Sequence, residues 1–275
     1  MEKTRAKKSL GQNFLIDDNV LSRIVSCVSP TAEDAILEVG PGRGALTRLL
    51  AASGARFLAI EWDRDLLPLL AAEFATFPNV EIGHGDILRV DLPQLLASRG
   101  AGKKWKVAAN LPYNISSQVL FRFLECSGLF ERLVLMLQKE VGDRLVAPAG
   151  CKDYGALTVL LRLHFDIRRE FLVKPGAFRP VPKVHSAVLS FTPLERPRAE
   201  VGNEDFFRSL VKGAFNQRRK TLLNSLRSAG FGGEDDSLPA ALSRSGIDGG
   251  RRGETLDLDE FAALSRELLA GKTLA

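Results

Sequence analysis

Cysteine and histidine are scarce in this chain, with three of each among 275 residues. Cys27, Cys126 and Cys151 stand far apart and form no CxxC pair. That spacing argues against a disulfide framework and reads as reduced thiols. His84, His164 and His185 are equally scattered, so neither a zinc pattern nor a Ser/His/Asp arrangement can be argued from them. No metal site is expected. The chain also lacks a run of about 18 apolar residues, so no membrane span is expected. Its N-terminus is basic but no apolar stretch follows, so no secretory signal is expected. A cytoplasmic protein is the expectation. No oligomerisation pattern is visible, so a monomer is expected.

Hydrophobic residues make up 45% and charged residues 26%, as in a soluble globular protein with a sizeable core. The net charge is +5. Its placement matters more than its sum. Lys3, Arg5, Lys7 and Lys8 form a basic arm, either a solvated tail or a phosphate contact. Asp17-Asp18-Asn19 caps a helix reaching Val28, with Val20, Leu21, Ile24 and Val25 at helical spacing. Strands are predicted over 35–39, 56–60, 80–82, 105–109, 133–137, 168–173 and 184–191, with helical patterns between most of them. Residues 157–163 are apolar throughout, and periodicity leaves helix and strand open. The Pro-containing, charged stretch 193–201 marks a boundary. Beyond it the pattern is helical: an apolar stripe over 206–215, a helix after Arg218-Arg219-Lys220, and a last helix opened by the capping box Asp257/Glu260. The predicted organisation is an α/β domain over 1–194, a mostly parallel sheet with helices on both faces, and a small all-helical domain over 195–275.

Chemistry is carried by the ends of the predicted strands. Gly40-Pro41-Gly42-Arg43-Gly44 follows the first strand directly, and the glycines let a ligand approach the backbone. The spacing is GxGxG rather than the GxGxxG of dinucleotide binders. Glu61 ends the second strand, where a carboxylate suits two ribose hydroxyls; a helix-start acid is the plainer alternative. Asp86 follows the third strand and could accept from an adenine amine with Ile87 against the ring, or simply form an Asx turn. Asn110-Leu111-Pro112-Tyr113 follows the fourth. The Asn110 oxygen and the carbonyl of Leu111 or Pro112 could accept both N–H bonds of an exocyclic amine, and Tyr113 could stack on the base. The alternative is a strand end with a Pro-containing turn. Phe178 lies in a loop with three prolines over 175–182, flanked by Arg179 and Lys183. It suits base stacking with phosphate contact, or else it plugs the loop onto the core. The basic residues 218–220 sit at a helix start, where the dipole disfavours them, which hints at a partner supplying negative charge; the alternative is an ordinary solvated face.

Read in order, Gln12-Asn13-Phe14-Leu15, Glu38-Val39-Gly40-Pro41-Gly42-Arg43-Gly44, Glu61, Gly85-Asp86, Asn110-Leu111-Pro112-Tyr113 and Phe178-Arg179-Pro180-Val181-Pro182 closely resemble the ribosomal RNA adenine dimethylase family. The resemblance covers nearly the whole chain. Asn110 to Ser116 and Phe215 to Leu222 resemble the small-subunit branch more than the large-subunit, erythromycin-resistance branch. It implies a Rossmann-like methyltransferase fold that uses S-adenosylmethionine and releases S-adenosylhomocysteine. It also implies site roles: Gln12, Asn13 and Leu15 closing over the cofactor, Gly40 and Gly42 beside its methionine portion, Glu61 on the ribose, Asp86 and Ile87 at its adenine. Asn110 would touch both cofactor and target nitrogen, within the motif Asn110 to Tyr113, and Tyr113 and Phe178 would sandwich the flipped base. The implied reaction is N6,N6-dimethylation of two adjacent adenosines near the 3′ end of small-subunit ribosomal RNA, within a pre-ribosomal small subunit, with the helical domain docking RNA.

Three rivals stand beside this reading. A DNA adenine methylase would need a duplex-recognition region, and none is evident. A nicotinamide dehydrogenase would share the first strand–turn–helix unit but not the glycine spacing or Asn110 to Tyr113. An RNA-binding assembly factor would use the basic arm and C-terminal helices for binding rather than for chemistry.

Overall fold

Short apolar strands alternate with helices carrying one apolar stripe, and the only way both can be buried is in layers. The computed structural model describes residues 6–7, 10–100, 102–232 and 237–273. Lys3, Arg5 and Lys8 of the basic arm lie outside the described residues. The described residues form two compact units, Met1–Gly142 with Asp166–Pro193, and Asp143–Phe165 with Leu194–Ala275.

The first unit is built on a seven-stranded sheet. In chain order its strands are β2 (Ala35–Val39), β3 (Arg56–Glu61), β4 (Val80–His84), β5 (Trp105–Asn110), β6 (Phe130–Gln138), β7 (Phe165–Val173) and β9 (Ser186–Pro193). Their spatial order is β4-β3-β2-β5-β6-β9-β7. The pairs from β4 to β6 are parallel, and β9 runs antiparallel to β6. Every residue of β2 is buried, as a strand covered on both faces requires. Helix α1 (Asp18–Val28) starts at the expected cap, Asp17, whose side chain accepts from the backbone of Asn19 and Val20. It buries Leu21, Ile24 and Val28. Helix α2 (Ala45–Ala51) follows the glycine-rich turn, and α3 (Leu67–Glu73) carries Pro68 in its first turn, where the missing N–H has no helical role. Helices α4 (Leu92–Gly100) and α5 (Ser116–Glu125) complete the crossovers. Chain direction reverses its order in the sheet between β2 and β5, so a crevice opens at the carboxyl ends of these strands.

Two further strands had no counterpart in the sequence reading. β1 (Phe14–Leu15) pairs antiparallel with β8 (Phe178–Arg179) in a separate two-stranded ribbon. This pairing ties the segment before α1 to the proline-rich loop. Strand β6 begins at Phe130, three residues before the apolar run that announced it.

The second unit is helical. The ambiguous stretch is helix α7 (Ala156–His164), which buries Val159, Leu160, Leu161 and Leu163. It belongs to this unit, together with α8 (Glu204–Phe215), α9 (Leu222–Ser228), α10 (Leu238–Arg244) and α11 (Leu258–Thr273). The sequence division was placed at 194/195; in the structure residues 143–165 group with the helices rather than with the sheet. The chain passes between the units at 142/143, 165/166 and 193/194, and helix α6 (Lys139–Val146) runs through the first of these points. The capping box of α11 is present in both directions: the Glu260 amide donates to Asp257 Oδ1 and the Asp257 amide to Glu260 Oε2, each at 2.9 Å. Among the described residues no helix is long and apolar enough to cross a membrane.

Candidate active site

One cleft gathers the carboxyl ends of β4, β3, β2 and β5. It is lined by residues 10–14, Gly40, Gly42, 60–62, 85–88 and 110–115. Gly40 turns the chain at φ 70°, a region that disfavours any side chain, and its amide donates to the Ile60 carbonyl at 2.9 Å. A Cβ at Gly40 would meet no protein atom within 4 Å. It would project into open space at the cleft wall, which leaves the backbone there accessible to a ligand. A Cβ on Gly42 would sit 3.0 Å from the Phe14 ring, so the segment 10–15 lies directly on the glycine turn. The Arg43 guanidinium covers the same ring.

Glu61 is buried at 6% exposure. One carboxylate oxygen accepts the Gly42 amide at 3.0 Å and the other the Asp63 amide at 2.8 Å. Burial pushes its pKa up, against the pull of those backbone donors. The acid therefore braces the glycine turn and still lines the cleft. Beneath it Glu38 is buried, with its pKa raised to about 8 by desolvation. The Thr47 hydroxyl donates to Glu38 at 2.6 Å. At neutral pH Glu38 is a protonated acid under the turn.

At the β4 end, Asp86 Oδ1 accepts the Leu88 amide at 3.0 Å. This is the Asx turn that was the simpler alternative, and among the described residues it leaves Oδ2 with the exposed Arg89, 3.6 Å away. Ile87 is 4% exposed. Trp62 was not anticipated. It is 52% exposed at the cleft rim and stacks on His84, with centroids 5.7 Å apart and planes at 12°. A tryptophan directly after the acid that ends β3 was the available clue.

At the β5 end the Asn110 Nδ2 donates to the Asn13 carbonyl at 3.0 Å. That bond orients the amide and leaves Oδ1 without a partner among the described residues. The Leu111 amide donates to the Met136 carbonyl at 3.1 Å. The Pro112 carbonyl is taken by the Ile115 amide at 3.2 Å, whereas the Leu111 carbonyl has no partner among the described residues. Tyr113 is half-buried, its phenol 2.7 Å from the Ser186 hydroxyl, and burial pushes its pKa up.

The segment over the cleft is tied down at several points. Gln12 donates to Asp63 at 2.8 Å and accepts the Lys7 amide at 2.8 Å. Lys7 bonds Asp63 and Asp65 at 2.5 and 2.6 Å. Lys7 is thus engaged with the protein itself rather than part of a solvated tail.

Two expected site residues fall elsewhere. Leu15 is buried opposite Phe178 in the β1–β8 ribbon and does not line the cleft. Phe178 is 0% exposed, packed in the cluster that holds Leu15, Val173, Ala177 and Val188. Its ring faces have no room for a base, so the stacking partnership with Tyr113 is not met in this arrangement. Pairing with β1 turned the ring inward, and the plug reading describes it. In the helical unit Arg218 bonds the Lys152 carbonyl and, at 3.1 Å, Glu254, while Arg219 and Lys220 are exposed.

A glycine turn, a buried acid at the next strand end and an amide at the switch point of a mostly parallel sheet define a Rossmann-like fold with its cleft at the strand ends. The solved structures sharpen this to a Rossmann-like methyltransferase fold. A dimethyladenosine transferase from Plasmodium falciparum aligns with a TM-score of 0.80 over 94% of this chain and 98% of that one, at 24% identity. The 23S rRNA methyltransferase ErmE aligns with a TM-score of 0.70 over 93% and 99%, at 26% identity. Residues 3–268 match the model of the ribosomal RNA adenine dimethylase family, and the chain belongs to that family. Proteins described as ribosomal RNA small subunit methyltransferase A are similar throughout. The one from Geobacter metallireducens is 61% identical over 98% of both chains, and that from Geobacter sulfurreducens is 57% identical over 97% of this chain and 96% of its own.

Proposed function

We propose that this methyltransferase uses S-adenosylmethionine to place two methyl groups on N6 of each of two adjacent adenosines near the 3′ end of small-subunit ribosomal RNA. The observation that carries the reading is the pair of unpartnered acceptors at the β5 end, Asn110 Oδ1 and the Leu111 carbonyl. Two acceptors on one exocyclic amine draw its N–H bonds out of the ring plane and free the lone pair for attack. The residues present fit the cofactor. The open backbone at Gly40 would receive its methionine portion, Glu61 would hold its ribose hydroxyls, and Asp86 Oδ2 would accept from its adenine amine, with Trp62 and Ile87 available to the ring. Gln12 and Asn13 hold the covering segment in place.

The cofactor supplies a methyl already activated on a sulfonium, so the chain need provide no nucleophile. Asn110 and Leu111 hold the target nitrogen, Tyr113 supports the base face, and the segment 10–14 excludes water from the cleft. The cleft offers no strong base at Asn110 to Tyr113, and the proton leaves to solvent after transfer. Exposed Arg219 and Lys220 suit phosphate contacts by the helical unit. The partner is a pre-ribosomal small subunit, the enzyme acts as a monomer in the cytoplasm, and binding in assembly accompanies catalysis.

The test offers methyl-labelled cofactor with unmethylated small subunits, large subunits and duplex DNA in parallel, followed by nucleoside mass spectrometry. Dimethyladenosine from small subunits alone is expected. Label in large-subunit RNA or DNA would overturn the substrate, and no label anywhere would overturn the activity.

A further inference from the structure

Tyr113 lies in the turn between β5 and α5, outside any regular element. A side chain on such a turn has no neighbouring ladder to hold its ring. Two bonds replace the ladder. The Ser116 hydroxyl donates to the Tyr113 carbonyl at 3.2 Å, which sets the backbone. The Tyr113 phenol meets the Ser186 hydroxyl at 2.7 Å, which sets the ring. Ser186 is a firm point of attachment. It is the first residue of β9, 0% exposed, and paired across the sheet with Gln138 of β6. The adjacent His185 carbonyl accepts the Lys139 amide at 2.9 Å, so the strand is held on both sides of the serine. The hydroxyl is thus carried by the antiparallel part of the sheet and reaches a ring placed by the parallel part. A phenol is neutral at physiological pH, and burial pushes the Tyr113 pKa further up, so the bond persists there. With Phe178 buried in the core, Tyr113 is the aromatic ring that lines the cleft at the target end.

We infer that Ser186 is a positioning residue that fixes the plane of the Tyr113 ring, and that this matters most for the second methyl transfer to each adenosine. This rests on the function proposed above. The second substrate is a monomethylated amine, which has one N–H left and a methyl to turn aside. Only one acceptor bond then orients the nitrogen, so the ring under the base carries more of the alignment. A ring free to swing would lose geometry that the first transfer can recover from two bonds.

The experiment compares wild type, S186A, Y113F and the double variant on unmethylated small subunits. It follows monomethyl- and dimethyladenosine over time, and cofactor affinity by calorimetry. S186A is expected to slow the second transfer about tenfold more than the first, so that monomethyladenosine accumulates. Cofactor affinity stays within about twofold, because Ser186 does not line the cleft. Y113F removes the same bond and keeps the ring, and it should reproduce the product pattern. The double variant should fall no further than either single, the mark of one shared interaction. A wild-type product ratio in S186A overturns the inference, as do losses that multiply in the double variant. If S186A folds poorly, Y113F decides alone, and a normal ratio there overturns it. A wild-type enzyme that makes no dimethyladenosine would instead refute the function on which the inference rests.

Discussion

A single hydrogen bond decides what Asn110 can do. With Nδ2 donating to the Asn13 carbonyl, Oδ1 is the atom presented to a ligand. Asn110→Ala should therefore keep the fold and part of the cofactor affinity while losing most of the methylation, measured as label per small subunit. Near-normal turnover would remove Asn110 from the mechanism. Glu61→Ala should weaken cofactor binding by roughly 1–3 kcal/mol in calorimetry, the usual loss for charge-assisted bonds. Glu38 gives a pH signature. Its ordinary value is 4.5 and its folded value about 8. Between these the native state holds more protons than the unfolded chain, so stability falls as pH rises. The contribution is whole below 4.5 and lost as pH passes 8. The slope is up to about 1.4 kcal/mol per pH unit. Urea unfolding of Glu38→Gln across this window should show a flatter profile. Of these residues, the sequence marked Asn110 and Glu61 by their places at strand ends. It gave only one clue to Trp62, its place directly after Glu61, because a single tryptophan carries no repeating pattern.

Among the elements, the β1–β8 ribbon changes the reading most. Two residues per strand are too few for a period-2 pattern to show. The prolines around Phe178 announced an irregular loop, and its centre, Phe178–Arg179, is instead a strand that follows a 3-10 turn over Pro175–Ala177. Once paired with Leu15, Phe178 takes its place in the core. Phe178→Ala should then cost about 3–5 kcal/mol of stability, as for other buried aromatics. Denaturant titration checks this. Unchanged stability with lost turnover would return the ring to the base-binding role. The helices were easier to read. Asp17, the Asp257/Glu260 box and Pro68 are local marks that need no tertiary partner to be recognised.

For the molecule as a whole, the separation of the two units has a testable consequence. Residues 143–165 group with the helices, so a fragment ending at 194 would carry α7 without its unit. Val159, Leu160 and Leu163, buried in the full chain, would lose their cover. Such a fragment is expected to aggregate in size-exclusion chromatography. One that also replaces 143–165 with a short polar linker should elute as a monomer. The sequence by itself determined the alternation of strands and helices, the residues at four strand ends and the family, because these depend on local order and short spacing. Only the tertiary structure decided which carbonyl beside Asn110 is open, where Phe178 points and which unit owns α7. The first depends on how the turn after β5 closes, with the Ile115 amide on the Pro112 carbonyl; the other two depend on partners distant in sequence, and burial is a property of the packed chain rather than of any one stretch of it.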